Sequence, residues 1–177
     1  MDVYELALMS AIAKVTAAKR VLEIGTYEGN TALNLAANTP ADALIVTVDL
    51  PLNWDGELAI KVPQTCVNVF ERTNVGRQFH GSQFEAKIRQ VLADSKTLNW
   101  GELPGPFDMV FVDGCHYFDY VKSDTDNSLR VLRPGGIIVW HDYGAYQDVS
   151  RVVDETAKTI SVKALRGTRL AVGFKPS

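Results

Sequence analysis

Along residues 2–18, Leu6, Leu8, Met9, Ile12, Ala13 and Val15 recur at helical spacing, which predicts a helix with one apolar face ending at the basic pair Lys19-Arg20. The period then shortens. Val21, Leu22 and Ile24 read as a buried strand, residues 28–38 resume a helical pattern that Asn38-Thr39-Pro40 stops, and residues 44–49 form a second apolar run. Residues 50–85 carry Pro51, Trp54, Gly56, Pro63, Gly76 and Gly81 with no sustained period, and are expected to be an insertion over the sheet edge, a lid with a short helix near 84–88. Strands follow at 88–92, running into Ala93-Asp94-Ser95, and at 107–113, bounded by Gly-Pro and Asp-Gly. A helix at 117–132 leads through Arg133-Pro134-Gly135-Gly136 to a strand at 137–140 that stops at His141-Asp142. A helix at 146–158 precedes two short strands, 160–165 and 169–174, joined through Arg166-Gly167-Thr168.

Seven strands, with helices between the first five and a hairpin at the end, make this an α/β chain. The expectation is a Rossmann-like, mostly parallel sheet with helices on both faces and a C-terminal antiparallel hairpin strand at the edge. Residues 1–177 are read as one domain, long enough to bury roughly 70% of its unfolded surface. A net charge of -3 and a pI near 5.6 argue against a polynucleotide partner, which calls for a basic face. Cys66 and Cys115 form no zinc-type pair and the start of the chain lacks the build of a signal peptide, so a cytoplasmic protein with reduced thiols is expected. No apolar run approaches the roughly 20 residues of a membrane span, which disfavours a membrane role. If the chain forms a homodimer, the insertion and first helix are surfaces that could make it, although no pattern points to one.

Chemistry enters where the first strand runs into a turn bracketed by Gly25 and Gly29. The segment Glu23-Ile24-Gly25-Thr26-Tyr27-Glu28-Gly29-Asn30 opens the second helix, and about twenty residues on the second strand ends at Asp49-Leu50, a carboxylate placed to accept from ribose hydroxyls. A dinucleotide fingerprint is G-x-G-x-x-G, whereas here the spacing is G-x-x-x-G. An acid at Glu23 would repel a pyrophosphate and suits a cationic ligand. A nicotinamide-dependent dehydrogenase is accordingly disfavoured. In an open parallel sheet ligands bind beyond the carboxyl ends of the strands. Those ends supply Glu23 and Gly25, Asp49, Asp94 and Ser95, Asp113, and His141 with Asp142: one polar rim over one apolar sheet. Asp94-Ser95 suits an adenine, or caps the turn that follows. His116 is the candidate general base, since an ordinary imidazole titrates near pH 6.5. Of the aromatics bordering the rim, Tyr117 and Tyr143 are kept as site candidates; His80 is read as a surface histidine, and Asp119, Asp124 and Asp126 as a solvated helix face.

With VLEIGTYEGN, VTVDL, VLADS and the closing GTRLAV, the segment FDMVFVDGCHYFDYVKSDTDNSLRVLRPGGIIVWHDYG resembles the class I S-adenosylmethionine-dependent methyltransferases. The nearest likeness is to the methyltransferase 24-like, small-molecule O-methyltransferase-like subgroup with Asp-Gly-x-His and His-Asp-Tyr after the fourth and fifth strands. The resemblance implies S-adenosylmethionine bound by the glycine turn and the rim acids, and methylation of a hydroxyl on a small-molecule or glycan-like acceptor. It implies catalysis at His116 and Asp113, a divalent ion held by Asp113, His141 and Asp142, and, of the acids on the helix after the fourth strand, a structural role for Asp124 alone. Magnesium prefers oxygen, and a histidine in the set shifts the preference toward manganese, iron or zinc. A metal-free site stays open, as does a catalytically silent binding module that keeps the cofactor fold.

Overall fold

β-Branched and other apolar residues fill 21–24, 45–48 and 109–112 almost without interruption, because these strands are covered on both faces. The computed structural model describes residues 1–52, 54, 57–62 and 74–177, so part of the expected insertion, including Gly56, Pro63 and Cys66, lies outside the described residues. In chain order the elements are α1 (Val3–Val15), β1 (Arg20–Ile24), α2 (Asn30–Asn38), β2 (Leu44–Asp49), β3 (Ile88–Leu92), β4 (Phe107–Val112), α3 (Phe118–Val131), β5 (Leu132–Trp140), α4 (Gln147–Thr156), β6 (Ser161–Ala164) and β7 (Ala171–Phe174). The strands form a seven-stranded sheet in the order β3-β2-β1-β4-β5-β7-β6.

β1 to β5 run parallel, and β7 is antiparallel to both β5 and β6. The reversed strand therefore sits inside the sheet, with β6 at the edge, correcting the expectation of an antiparallel edge. The chain leaves β1 toward β2 and β3, then returns to build β4 and β5 on the other side. Ligand crevices form at such a reversal, here between the carboxyl ends of β1 and β4.

Two cores flank the sheet. Leu22, Ile24, Val110, Val112 and Trp140 pack toward α3 and α4 with Val121, Val149, Val152 and Val153. Val21, Ile45, Met109, Phe111 and Val139 pack with Met9, Ala13, Leu35 and Phe79 on the face carrying α1 and α2. On α1 the buried positions are Glu5, Met9 and Ala13, while Val15 is exposed, so the buried face lies one step round from the expected one and contains an acid.

Other departures are local. The expected helix near 84–88 is a 3₁₀ turn at Glu85–Lys87, and β3 connects to β4 through a 3₁₀ turn at Trp100–Glu102 with no α-helix between them. The expected 133–136 turn falls within β5: Leu132 pairs with Phe107 and pairing resumes at Ile137 with Met109, so the register shifts across these residues, which bulge out of the ladder. Among the described residues no helix is long and apolar enough to cross a membrane.

Candidate active site

β1 and β4 meet closely at their carboxyl ends. Asp113 N–H donates to Ile24 O at 2.8 Å, and a Cβ on Gly25 would lie 2.1 Å from Asp113 O, so glycine is required by contact as well as by its φ of +102°. Gly29, at φ +87°, forms the N-cap of α2, and a Cβ there would run into the Phe79 ring. The end of the insertion thus packs onto the glycine turn, with Gly76 N–H donating to Tyr27 O at 2.8 Å. Asn30 begins the helix and accepts from Asn34. Tyr27 sits at φ +46°, a strained backbone held by its N–H donating to Asp49 Oδ2 at 2.7 Å, while Leu50 N–H donates to Asp49 Oδ1 at 2.8 Å. Asp49 is thereby fixed beside the turn.

Glu23, expected among the ligand contacts, is buried beneath the turn. It pairs in register with Thr47 and is 1% exposed on the α1/α2 face; Thr47 Oγ1 donates to its Oε2 at 2.5 Å and lies 2.6 Å from Thr26 Oγ1. Burial pushes its carboxyl up to about 8, opposed by the Thr47 hydrogen bond and assisted by Asp113 and Asp49. Near neutrality Glu23 is largely a neutral acid beneath the turn, joined to it through a threonine pair that sequence reasoning missed.

Asp94 is buried and accepts from Lys96 N–H, Ala59 N–H and the Tyr120 hydroxyl, so both the expected turn cap and a tie to the insertion are present. The adjacent Ser95 bonds the Asp124 side chain and accepts the Trp100 indole N–H on its carbonyl. Asp124 is 1% exposed, and burial raises its carboxyl to about 7 against the Ser95 bond. This corrects the solvated-face reading, which holds for the exposed Asp119 and Asp126.

The remaining rim residues converge. His141 Nδ1 lies 3.0 Å from Asp113 Oδ1 and 3.3 Å from Asp142 Oδ2, and its Nε2 lies 3.0 Å from Glu5 Oε2. Burial opposes charge on this ring, but the three carboxylates outweigh it and raise its pKa to about 10. Asp142, at φ +62°, is held below the ordinary carboxylate range by the two imidazoles despite its burial. Its Oδ2 lies 2.8 Å from His116 Nε2, and its Oδ1 lies 2.8 Å from Arg169 Nη1. The His116 ring stacks on Tyr146 at 4.2 Å, nearly parallel. A small cleft lined by Asp113, Gly114, Cys115, His116 and His141 opens among these groups.

Of the aromatics kept from the sequence, Tyr143 is committed to Asp154 through its hydroxyl and Tyr117 is exposed before α3, whereas Tyr146 is the ring on His116. His80 is on the surface beside Glu85. Glu5 and Arg169 join the site from the two ends of the chain. In the sequence Glu5 carries only the signal of a helix cap, and Arg169 only its place in the closing GTRLAV; neither signal points to the site.

Residues 22–143 match the model of the methyltransferase 24 family, described as a methyltransferase domain. The chain is 30% identical over 164 residues to a putative O-methyltransferase of Mycolicibacterium vanbaalenii, covering 90% of this chain and 62% of that one. With caffeoyl-CoA O-methyltransferase 2 of Zea mays it shares 28% over 134 residues, covering 73% and 44%. The chain therefore spans less than two thirds of the length of these curated relatives. Among solved structures, the O-methyltransferase TomG of Streptomyces achromogenes, in complex with SAM, superposes with a TM-score of 0.74 at 19% identity, covering 100% of this chain and 82% of that one.

Proposed function

The chain belongs to the methyltransferase 24 family, and from that premise we propose that it transfers the methyl group of S-adenosylmethionine to a hydroxyl of a small-molecule or glycan-like acceptor. The observation that carries this reading is the convergence of the glycine turn, Asp49, Asp113, His116 and Asp142 around the β1/β4 reversal. Carboxylates around a crevice suit a ligand that carries hydroxyls and positive charge, and disfavour a pyrophosphate. The Gly25 contact with Asp113 O keeps the two strand ends close enough for one ligand to touch both. S-Adenosylmethionine, when bound, supplies a methyl group on a sulfonium, already activated for transfer. The protein has to align the acceptor oxygen, exclude water and remove one proton.

His116 takes that proton. Asp142 beside Nε2 keeps hydrogen on that nitrogen, which leaves Nδ1 as the base, and the Tyr146 stack fixes the ring plane. Asp113 Oδ1, His141 Nδ1 and Asp142 Oδ2 fit a divalent ion: all three donors lie within 4.8 Å of one another, with adjacent separations of 3.0 and 3.3 Å. One imidazole with two carboxylates favours manganese, iron or zinc over magnesium. A bound ion would supply Lewis acidity toward the acceptor oxygen. A cytoplasmic location belongs to the same proposal.

Transfer of labelled methyl from S-adenosylmethionine to a panel of hydroxylated small molecules, with manganese and with chelator, tests the reading. His116→Ala is expected to lower kcat at least 100-fold with cofactor affinity kept. Cofactor binding with no transfer to any acceptor, in the wild type as in His116→Ala and Asp113→Ala, would instead mark a binding module.

A further inference from the structure

A glutamate that is 1% exposed must be paired, and Glu5 is paired in an unusual way. Its Oε2 accepts from Asp2 N–H at 3.2 Å and faces His141 Nε2 at 3.0 Å, while its Oε1 accepts from Arg169 N–H at 2.8 Å. Asp2 returns a cap to Glu5 N–H at 2.8 Å, so the first turn of α1 is locked onto the β5 end and the chain just before β7. Phe111 meets the edge of the His141 ring, with centroids 6.3 Å apart. A ring that offers Nδ1 as a lone pair must carry its hydrogen on Nε2, and a buried N–H there needs an acceptor.

We propose that Glu5 is a positioning residue for the candidate metal site: by accepting Nε2–H it fixes the His141 tautomer whose Nδ1 faces Asp113 and Asp142. The inference rests on the metal reading above. It makes the N-terminal helix part of the site, 136 residues from the histidine it orients.

Glu5→Gln isolates the effect. Glutamine still serves at this position of a capping box, but it has one carbonyl oxygen and one NH₂. It cannot accept from both His141 and Arg169. If its oxygen turns to Arg169, its NH₂ faces Nε2 and drives the ring proton onto Nδ1, the atom meant to ligate. Asp2→Ala is the control, because it breaks the cap and leaves the Glu5–His141 contact.

The test is calorimetry of the full chain with Mn²⁺ alone, paired with ¹H–¹⁵N spectra of the histidine rings with Zn²⁺. Glu5→Gln is expected to weaken Mn²⁺ binding 10- to 100-fold, as loss of a carboxylate behind a histidine ligand does elsewhere. Asp2→Ala should bind as the wild type does, and the wild-type spectra should show hydrogen on Nε2 of His141 and metal on Nδ1. Equal Mn²⁺ affinity in wild type and Glu5→Gln overturns the role of Glu5 and leaves the metal site standing. An Asp2→Ala loss as large as that of Glu5→Gln overturns it too, since Glu5 would then only anchor the helix. A wild type that takes up no Mn²⁺ removes the metal reading and this inference with it. The spectra need no variant, so metal on Nε2 overturns the assignment even if Glu5→Gln fails to fold.

Discussion

Gly25 and Gly81 both hold positive φ, at +102° and +73°, but only at Gly25 would a Cβ strike backbone; at Gly81 it meets nothing within 4 Å. Gly25→Ala is therefore expected to cost more than about 2 kcal/mol, and Gly81→Ala about 1 kcal/mol, both read by urea denaturation. Glu23 supplies a second residue-scale prediction. Its folded pKa of about 8 lies above the ordinary glutamate value of 4.5, so its contribution to stability is full below pH 4.5 and is lost as pH rises through about 8. Glu23→Gln, which carries no charge, should thus gain in Tm over the wild type progressively between those limits, and a pH-independent difference would refute the buried neutral acid. In metal-free protein the Glu5–His141 pair acts on both sides of neutrality. Burial works to raise the Glu5 carboxyl, but hydrogen bonds from Arg169, His141 and Asp2 outweigh it and hold it at about 2, so its contribution is lost as pH falls from 4.5 through about 2. His141, raised to about 10, loses its contribution as pH rises from 6.5 through that value. The positions of Gly25, Asp49, Asp113 and His141 at strand ends were legible from pattern alone. The directions of side chains were not: whether Glu23 points into the crevice or under α2 depends on its pairing opposite Thr47, a long-range register that the local sequence does not carry.

At the scale of elements, α3 shows where periodicity misleads. Ser123, Asp124, Thr125, Asn127 and Ser128 are all buried; Asn127 donates to Ser123 within the helix, and Thr125 and Asp124 meet polar groups on neighbouring segments. Trp140, fully buried in β5, donates its indole N–H to Thr125 Oγ1 at 2.9 Å, and Asp124 bonds Ser95 beyond β3. Thr125→Val keeps the volume and removes that acceptor; it should cost about 1 to 3 kcal/mol, seen as a lowered Tm with unchanged far-UV circular dichroism. An unchanged Tm would mean the indole finds another partner. Strand positions read well because both faces of the central sheet are apolar. The reversed β7 was misplaced at the edge because a hairpin signal gives the turn and not the side on which the returning strand inserts.

For the whole molecule, the sheet order brings five strand ends, spread from residue 24 to residue 140, to one rim, and α1 closes it with Glu5. That long-range assembly explains why neither Arg169, inside the closing GTRLAV, nor Glu5, in a helix cap, reads locally as a site residue: each acquires its partner only when α1 and the chain before β7 meet at His141 and Asp142. This rim is the proposed S-adenosylmethionine site. Titration calorimetry of the full chain with S-adenosylhomocysteine, alongside Asp49→Ala, tests it most directly. One-to-one binding is expected, persisting after chelation and weakened at least 10-fold in Asp49→Ala; no heat of binding at millimolar ligand would rule the cofactor out of this rim.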